Sequence, residues 1–219
     1  MEKILSQPVQ ENPAVRERLL VEALRLFTSR GFSATTVREI VEAAGVTKPV
    51  LYYYFGSKEG LYLEIMEGIG RVFEQRVVEL QMLSGSVRER LIHFFAGIYK
   101  GAHENLQAVK LAYSIYYGPP QGAPFVDFNC FFDRTLEIVD NLLSEGIKSG
   151  EISPVDRKTL TWALIGSHNT ILEEQVCRSS PRVDCEALVK VLNMILDGVT
   201  PIPNQGAIFV GLSSAPQRT

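Results

Sequence analysis

Only three cysteines occur in this 219-residue chain, Cys130, Cys177 and Cys185, and none forms a C-x-x-C pair. The odd number argues against a disulfide framework and fits a reducing, cytoplasmic setting. No apolar run approaches ~18 residues, so no membrane span is expected. Met1 leads into a polar segment without an apolar h-region, so no signal peptide is expected either. The three histidines, His93, His103 and His168, are dispersed and give no metal spacing. Walker A, G-x-G-x-x-G, G-x-S-x-G and H-E-x-x-H motifs are all missing, which argues against an enzyme and against any bound cofactor. Gly166-Ser167-His168 falls inside a helical pattern with no partner acid. Net basic charge is also missing. The chain carries −3 with a pI near 5.7, so it is no histone-like protein, although a local basic patch remains open. Residues 1–60 sum to +1 and the remainder to −4. Strand alternation is missing outside Ala207-Ile208-Phe209-Val210, and there is no internal repeat.

What is present is helical periodicity. At 46% hydrophobic residues, the chain is long enough to bury roughly 70% of its unfolded surface without staples. Asn12-Pro13 reads as an N-cap followed by proline. Val15, Leu19, Ala23, Leu26 and Phe27 follow at helical spacing, predicting a helix over 13–29 ended by Gly31. Thr35 or Thr36 caps a short second helix through Ala43. Thr47 caps a third with Pro49 in its first turn, and Ser57 a fourth to about Leu80. Further helices are predicted from Ser86, over 104–117 and 124–149, from Ser153-Pro154 to about Cys177, and over 183–198. The breaks are Gly118-Pro119-Pro120-Gln121-Gly122, Gly150 and Ser179-Ser180-Pro181. The expectation is an all-α chain of about nine helices, with tails at 1–12 and 201–219.

The stretch TVREIVEAAGVTKPVLYYYFGSKEGL, residues 36–61, carries the chemistry. Gly45 supplies a left-handed turn between two short helices. Ile40, Val46 and Leu51 are spaced to fill the space between them, and Ala43 and Ala44 let the axes approach. This is a helix-turn-helix over about 36–55, whose second helix enters a DNA major groove. Its exposed positions would be Thr47, Lys48, Pro49, Val50, Tyr52 and Tyr53. Tyrosine hydroxyls can donate to phosphate, and the rings can pack on sugar or a thymine methyl. Thr47 stands at a helix N-terminus, an anion-binding end. Lys58 opposes the dipole of the fourth helix and makes sense if a phosphate lies there. Tyr54 is divided between DNA and packing, and Phe55 should be core. The competing reading takes the aromatics as core and the lysines as solvated, but it does not explain why cap, turn, apolar positions and lysine are satisfied together.

T-V-R-E-I-x-x-x-A-G-V-T-K-P-x-L-Y-Y-Y-F-x-S-K-E-x-L resembles the DNA-binding signature of the tetracycline-repressor (TetR) family of transcriptional regulators. Arg18 to Phe32 resembles the helix before it. Val41 stands where that family usually has alanine, and Pro49 where glycine is frequent. The resemblance implies an N-terminal three-helix DNA-binding domain, 13–58, and a larger C-terminal ligand-binding and dimerisation domain, 59–200. It implies a homodimer on a palindromic double-stranded operator, with repression as the default. A small molecule would shift the dimer away from a spacing of ~34–36 Å between recognition helices, one DNA turn. It also places Thr36 and Arg38 against phosphate or a base, and makes Lys58 a phosphate clamp.

Beyond residue 80 no family signature is evident. Helices near 154–177 and 183–198 carry apolar stripes, Leu160, Leu164, Ser167, Ile171 and Leu188, Val191, Leu192, Ile195, Val199. These fit either a four-helix dimer seam or intramolecular core. An effector pocket is expected among helices four to eight, from Phe94, Tyr99, Tyr113, Tyr117, Phe128, Phe132 and Trp162, with His168 as a polar anchor. This composition points to an apolar or aromatic ligand. His93 and His103 are further potential anchors, and the Pro119-Pro120 loop could gate an entrance. The alternative function is a helical interaction or small-molecule-binding protein without DNA regulation.

Overall fold

A computed structural model describes residues 12–118 and 122–201. Among the described residues there are nine helices and no strand: α1 Pro13–Arg30, α2 Val37–Ala43, α3 Lys48–Phe55, α4 Lys58–Met82, α5 Val87–Glu104, α6 Leu106–Tyr116, α7 Asn129–Ser149, α8 Arg157–Cys177 and α9 Cys185–Asp197. The Pro119-Pro120 loop, the 207–210 alternation and nearly all of both tails lie outside the described residues.

Most helix starts follow local capping chemistry. The Asn12 side chain accepts from Ala14 N, and Ser57 from Gly60 N. Thr36–Glu39 and Ser86–Glu89 form complete capping boxes, satisfying the amide groups that a helix start leaves orphaned. Two starts differ from the sequence expectation. The eighth helix begins at Arg157 rather than at Ser153-Pro154, because Asp156 caps it through Lys158 N. The Ser153 amide instead donates to Val199 O, binding this turn to the end of α9. The seventh begins at Asn129 rather than 124, where the Asp127 carboxylate accepts from Asn129 N.

Two cores meet along α4. The N-terminal core gathers Leu19, Ala23 and Phe27 of α1, Ile40 of α2, Leu51 of α3, and Leu61, Tyr62, Ile65 and Met66 of α4, together with Leu111 of α6. Phe27, Phe32 and Tyr62 form a ring cluster with centroids 5.2–6.1 Å apart, each pair worth about 0.5–1.5 kcal/mol beyond its buried area. Burial pushes the Tyr62 hydroxyl up to about 12. The C-terminal core joins Val77 and Leu80 at the far end of α4 to Leu91, Phe94 and Phe95 of α5, Leu143 of α7, Leu164 of α8 and Leu192 of α9. The single helix α4 therefore belongs to both units.

The stripe residues Leu160, Leu164, Ile171, Leu188 and Leu192 all lie inside the C-terminal core, so the intramolecular alternative holds for them. The outward faces of the same helices are different residues: Trp162, Ala163, Gly166 and Thr170 on α8, and Lys190 and Met194 on α9.

Candidate nucleic-acid interface and effector cavity

The tight turn after α2 is set by Gly45, at φ 65°, a conformation costly for any residue with a Cβ. Val46 N returns to Val41 O, so α3 leaves at a fixed angle across α2. Leu51 and Ile40 are fully buried, so the opposite face of α3 must point outward. Along that face Thr47, Lys48, Pro49, Tyr52 and Tyr53 are solvent-accessible, with Val50 half-buried. The Thr47 side chain makes no capping bond, leaving the N-terminus of α3 open.

The other expected contact residues are engaged within the protein. Arg38 is paired with Glu42 at 2.7 Å, one helical turn away, which holds its guanidinium above its ordinary value. Such a solvated pair yields readily to a phosphate. The Thr36 hydroxyl is taken up by its capping box, where the Thr36 backbone amide first, and then this hydroxyl, hold the Glu39 carboxyl below the usual carboxylate range. Lys58 is engaged in the same way. Its ammonium does not stand out as a free clamp but turns inward, donating to Phe32 O at 3.0 Å and Thr35 O at 2.9 Å. It lies 4.1 Å from the Phe32 ring centroid. Both carbonyls lie in the turn after α1, where helical bonding has ended, and α4 supplies a donor for their remaining lone pairs. Tyr54 resolves toward packing: its hydroxyl accepts from Asn12 N at 2.7 Å and donates to Asn12 O at 3.3 Å, binding α3 to the start of α1. Phe55 is half-buried against the N-terminal core, with the Arg16 guanidinium 5.4 Å from its ring.

A close approach fixes the start of α4. A Cβ on Gly60 would fall 2.0 Å from Phe55 O, so only glycine lets α4 begin this tightly behind α3.

Between the two cores lies a cavity of about 430 Å³, walled by α4, α5, α6, α7 and α8. That volume lies in the range of small-molecule sites. Of the residues singled out in the sequence, Tyr113, Tyr117, Phe128, Phe132 and His168 line it. Phe94 does not; it is core, packed on Phe95 at 5.8 Å. Tyr99 is buried and stacked on His103, facing a shallow hollow with Lys100, Asp184 and Cys185. Trp162 is half exposed on the outside of α8, 5.6 Å from Phe132. His93 and His103 are exposed.

Sequence reading missed the α4 wall, Ile69, Val72, Phe73 and Arg76. Their i, i+3, i+4, i+7 spacing was the available signal, since a helix with one face in each core must show a second stripe. It also passed over Asn105 and Asn169 as lining residues. Burial pushes the Tyr113 hydroxyl up to about 12 and pulls His168 down to about 4. The cavity therefore holds mostly neutral groups at neutral pH. Ile69 and Phe128 line it and also pack against the N-terminal core, so a change at the cavity wall bears on the DNA-facing unit. Among the described residues no cluster of His, Cys, Asp or Glu could hold a metal, and no helix is long and apolar enough to cross a membrane.

The comparisons with known proteins agree with this geometry. Residues 19–65 match the family model described as bacterial regulatory proteins, tetR family. The HTH-type transcriptional repressor KstR2 of Mycobacterium tuberculosis is 26% identical over 84% of this chain and 92% of its own length. The crystal structure of the TetR family transcriptional regulator PfmR from Thermus thermophilus superposes with a TM-score of 0.66 and 25% identity, covering 82% of this chain and 97% of that one. FadR from Bacillus subtilis, solved with stearoyl-CoA, shares the fold at 20% identity and a TM-score of 0.61, over 84% of this chain and 98% of its own. The exposed α3 face, the glycine turn and the cavity-bearing helical unit behind them are those of a DNA-binding transcriptional regulator, not an enzyme, and residues 19–65 carry the tetR-family domain.

Proposed function

We propose that the chain is a homodimeric repressor that a small apolar effector releases from a palindromic operator. Thr47, Lys48, Pro49, Val50, Tyr52 and Tyr53 form its reading surface, with Arg38 exchanging Glu42 for a phosphate. Thr36 and Lys58 act mainly by holding α2 and α4 in register behind that surface. The outward faces of α8 and α9, around Ala163, Gly166, Thr170 and Met194, form the seam between two copies. Close helix approach there is favoured by residues of low volume.

The observation that carries this reading is the double membership of the cavity wall. α4 and α6 line the cavity and also pack against α1. An effector that prefers a wider or rotated α4 shifts the population away from the DNA-competent spacing of ~34–36 Å. A differential affinity of ~1–3 kcal/mol changes operator affinity about 5- to 150-fold. The repressor name of the KstR2 relative supports the sign, and the stearoyl-CoA complex of the FadR neighbour supports an apolar occupant.

Selection of bound duplexes from a randomised library, followed by gel shift, tests the reading. Enrichment of one two-fold symmetric site is expected. Enrichment of nothing, or of an asymmetric single half-site bound by a monomer, overturns it.

A further inference from the structure

Aromatic rings form a connected belt on the cavity wall, running from α4 across α7 to α6. Phe73 meets Phe131 at 5.4 Å between centroids, and Phe131 meets Phe128 at 6.5 Å. Phe128 meets Tyr116 at 6.4 Å, Tyr116 meets Tyr117 at 4.8 Å, and Tyr117 meets Tyr113 at 5.6 Å. None of these rings is buried, so each keeps accessible surface where it lines the cavity. The plane of Tyr116 stands at 86° to that of Tyr117 and at 90° to that of Phe128, so the rings make corners and not one flat stack. A ring face is the negative pole of the aromatic quadrupole, and several faces at steep angles attract a cation from more than one side.

The charges beside the belt have the matching sign. Glu173 of α8 lines the same cavity and is exposed, and among the described residues it has no hydrogen bond and no ion pair. It stands at the Tyr113 end of the belt: burial first, then the neighbouring Tyr117 and Glu173, push the Tyr113 hydroxyl up to about 12. Arg76 supplies the positive charge of the lining and is already matched, with Nη1 2.7 Å from Glu79 and Nη2 4.0 Å from Glu104. Burial pulls His168 down to about 4, so that ring is neutral. One cation, Arg76, thus stands against the carboxylates of Glu79, Glu104 and Glu173. An anionic head would leave water for a surround of its own sign, whereas a cation meets an unpaired carboxylate and ring faces.

Resting on the reading of the cavity as the effector site, we propose that the effector is an apolar organic cation of the quaternary ammonium class, its head held among Tyr113, Tyr116 and Tyr117 beside Glu173. The apolar body lies against Val72, Ile98 and Ile165, all on the wall. A quaternary head donates no hydrogen bond, so ring faces can replace its water without a matching acceptor. The rings and Glu173 discriminate the cation from a neutral molecule of the same shape, and the charge balance discriminates it from an acid.

Titration calorimetry on the full chain with decyltrimethylammonium, decyldimethylamine N-oxide, decanoate and decanoyl-CoA, each below its micelle concentration, tests this at about pH 8, where the N-oxide has no net charge. The ammonium binds once per chain, about tenfold more tightly than the N-oxide, the size of effect a partly desolvated cation–π contact gives. Glu173→Gln and Tyr117→Leu each narrow that preference about threefold while N-oxide binding persists. Both side chains are exposed, so neither substitution opens the core. Equal affinity of ammonium and N-oxide for the unsubstituted chain, a preference unchanged by both substitutions, or tightest binding of decanoate or decanoyl-CoA overturns the proposal and leaves the cavity reading intact. Binding of none of the four overturns both.

Discussion

The Lys58 ammonium sits 4.1 Å from the Phe32 ring centroid and donates to the carbonyls of Phe32 and Thr35. A cation in the first turn of α4 opposes the helix dipole, yet here two carbonyls and a ring face offset that cost. Lys58→Met should therefore destabilise the chain by about 1–3 kcal/mol in urea unfolding. A change within about 0.5 kcal/mol would show the inward contacts to be incidental and return Lys58 to the role of a phosphate clamp.

Tyr53 is 49% exposed and packs edge-on against Tyr54, at 5.0 Å. Tyr53→Ala should cost less than about 1 kcal/mol of stability while weakening operator binding severalfold. Equal operator affinity in a gel shift would remove this ring from the interface.

Lys48, at the first position of α3, is the better candidate for a phosphate contact. For Lys48→Ala the slope of log K against log salt should become shallower by roughly one unit per half-site engaged. A uniform loss of affinity with the slope intact would point to base contact instead.

His168 gives the pH dependence. Its pKa falls from an ordinary 6.5 to about 4 in the folded chain because burial disfavours the imidazolium. The unfolded chain then binds the extra proton first, so the stability present above pH 6.5 is lost progressively as pH falls through 4. The loss is about 3 kcal/mol from this group, at roughly 1.36 kcal/mol per unit. Urea unfolding of the unsubstituted chain and of His168→Phe at several pH values should show the unsubstituted chain losing stability more steeply through that window. Parallel curves would mean that His168 titrates normally.

Ala163 faces outward on α8, near Gly166, where a Cβ would meet nothing. Ala163→Arg should yield a monomer by light scattering with the unsubstituted helical spectrum, and binding to a two-fold operator should be lost. A dimer that persists would place the seam elsewhere.

The helices of this chain were legible because their signals are local. Asn12-Pro13, the Thr36–Glu39 and Ser86–Glu89 boxes, and the glycines at 31, 45 and 150 act within one or two turns of themselves. The Ser153-Pro154 start failed because a longer-range bond, Ser153 N to Val199 O, outweighed a local cap and left that task to Asp156. The outward face of α3 was legible for a related reason. Once Ile40 and Leu51 are buried, a period of about 3.6 leaves Tyr52 and Tyr53 nowhere but outside.

The cavity was only half legible. Phe94 and Phe131 are both apolar aromatics on amphipathic helices, yet one closes the core and the other lines the cavity. Hydrophobicity records that a side chain leaves water and not which neighbour it meets. The sequence by itself determined the run of helices, a glycine-turned pair of them facing outward, and the family to which they point. The tertiary structure decided that Lys58 turns inward, that the α8 and α9 leucines serve their own core, and that the His168 ring is buried with Nε2 unpartnered. Each of those outcomes depends on partners distant in the chain, whose positions no local pattern encodes.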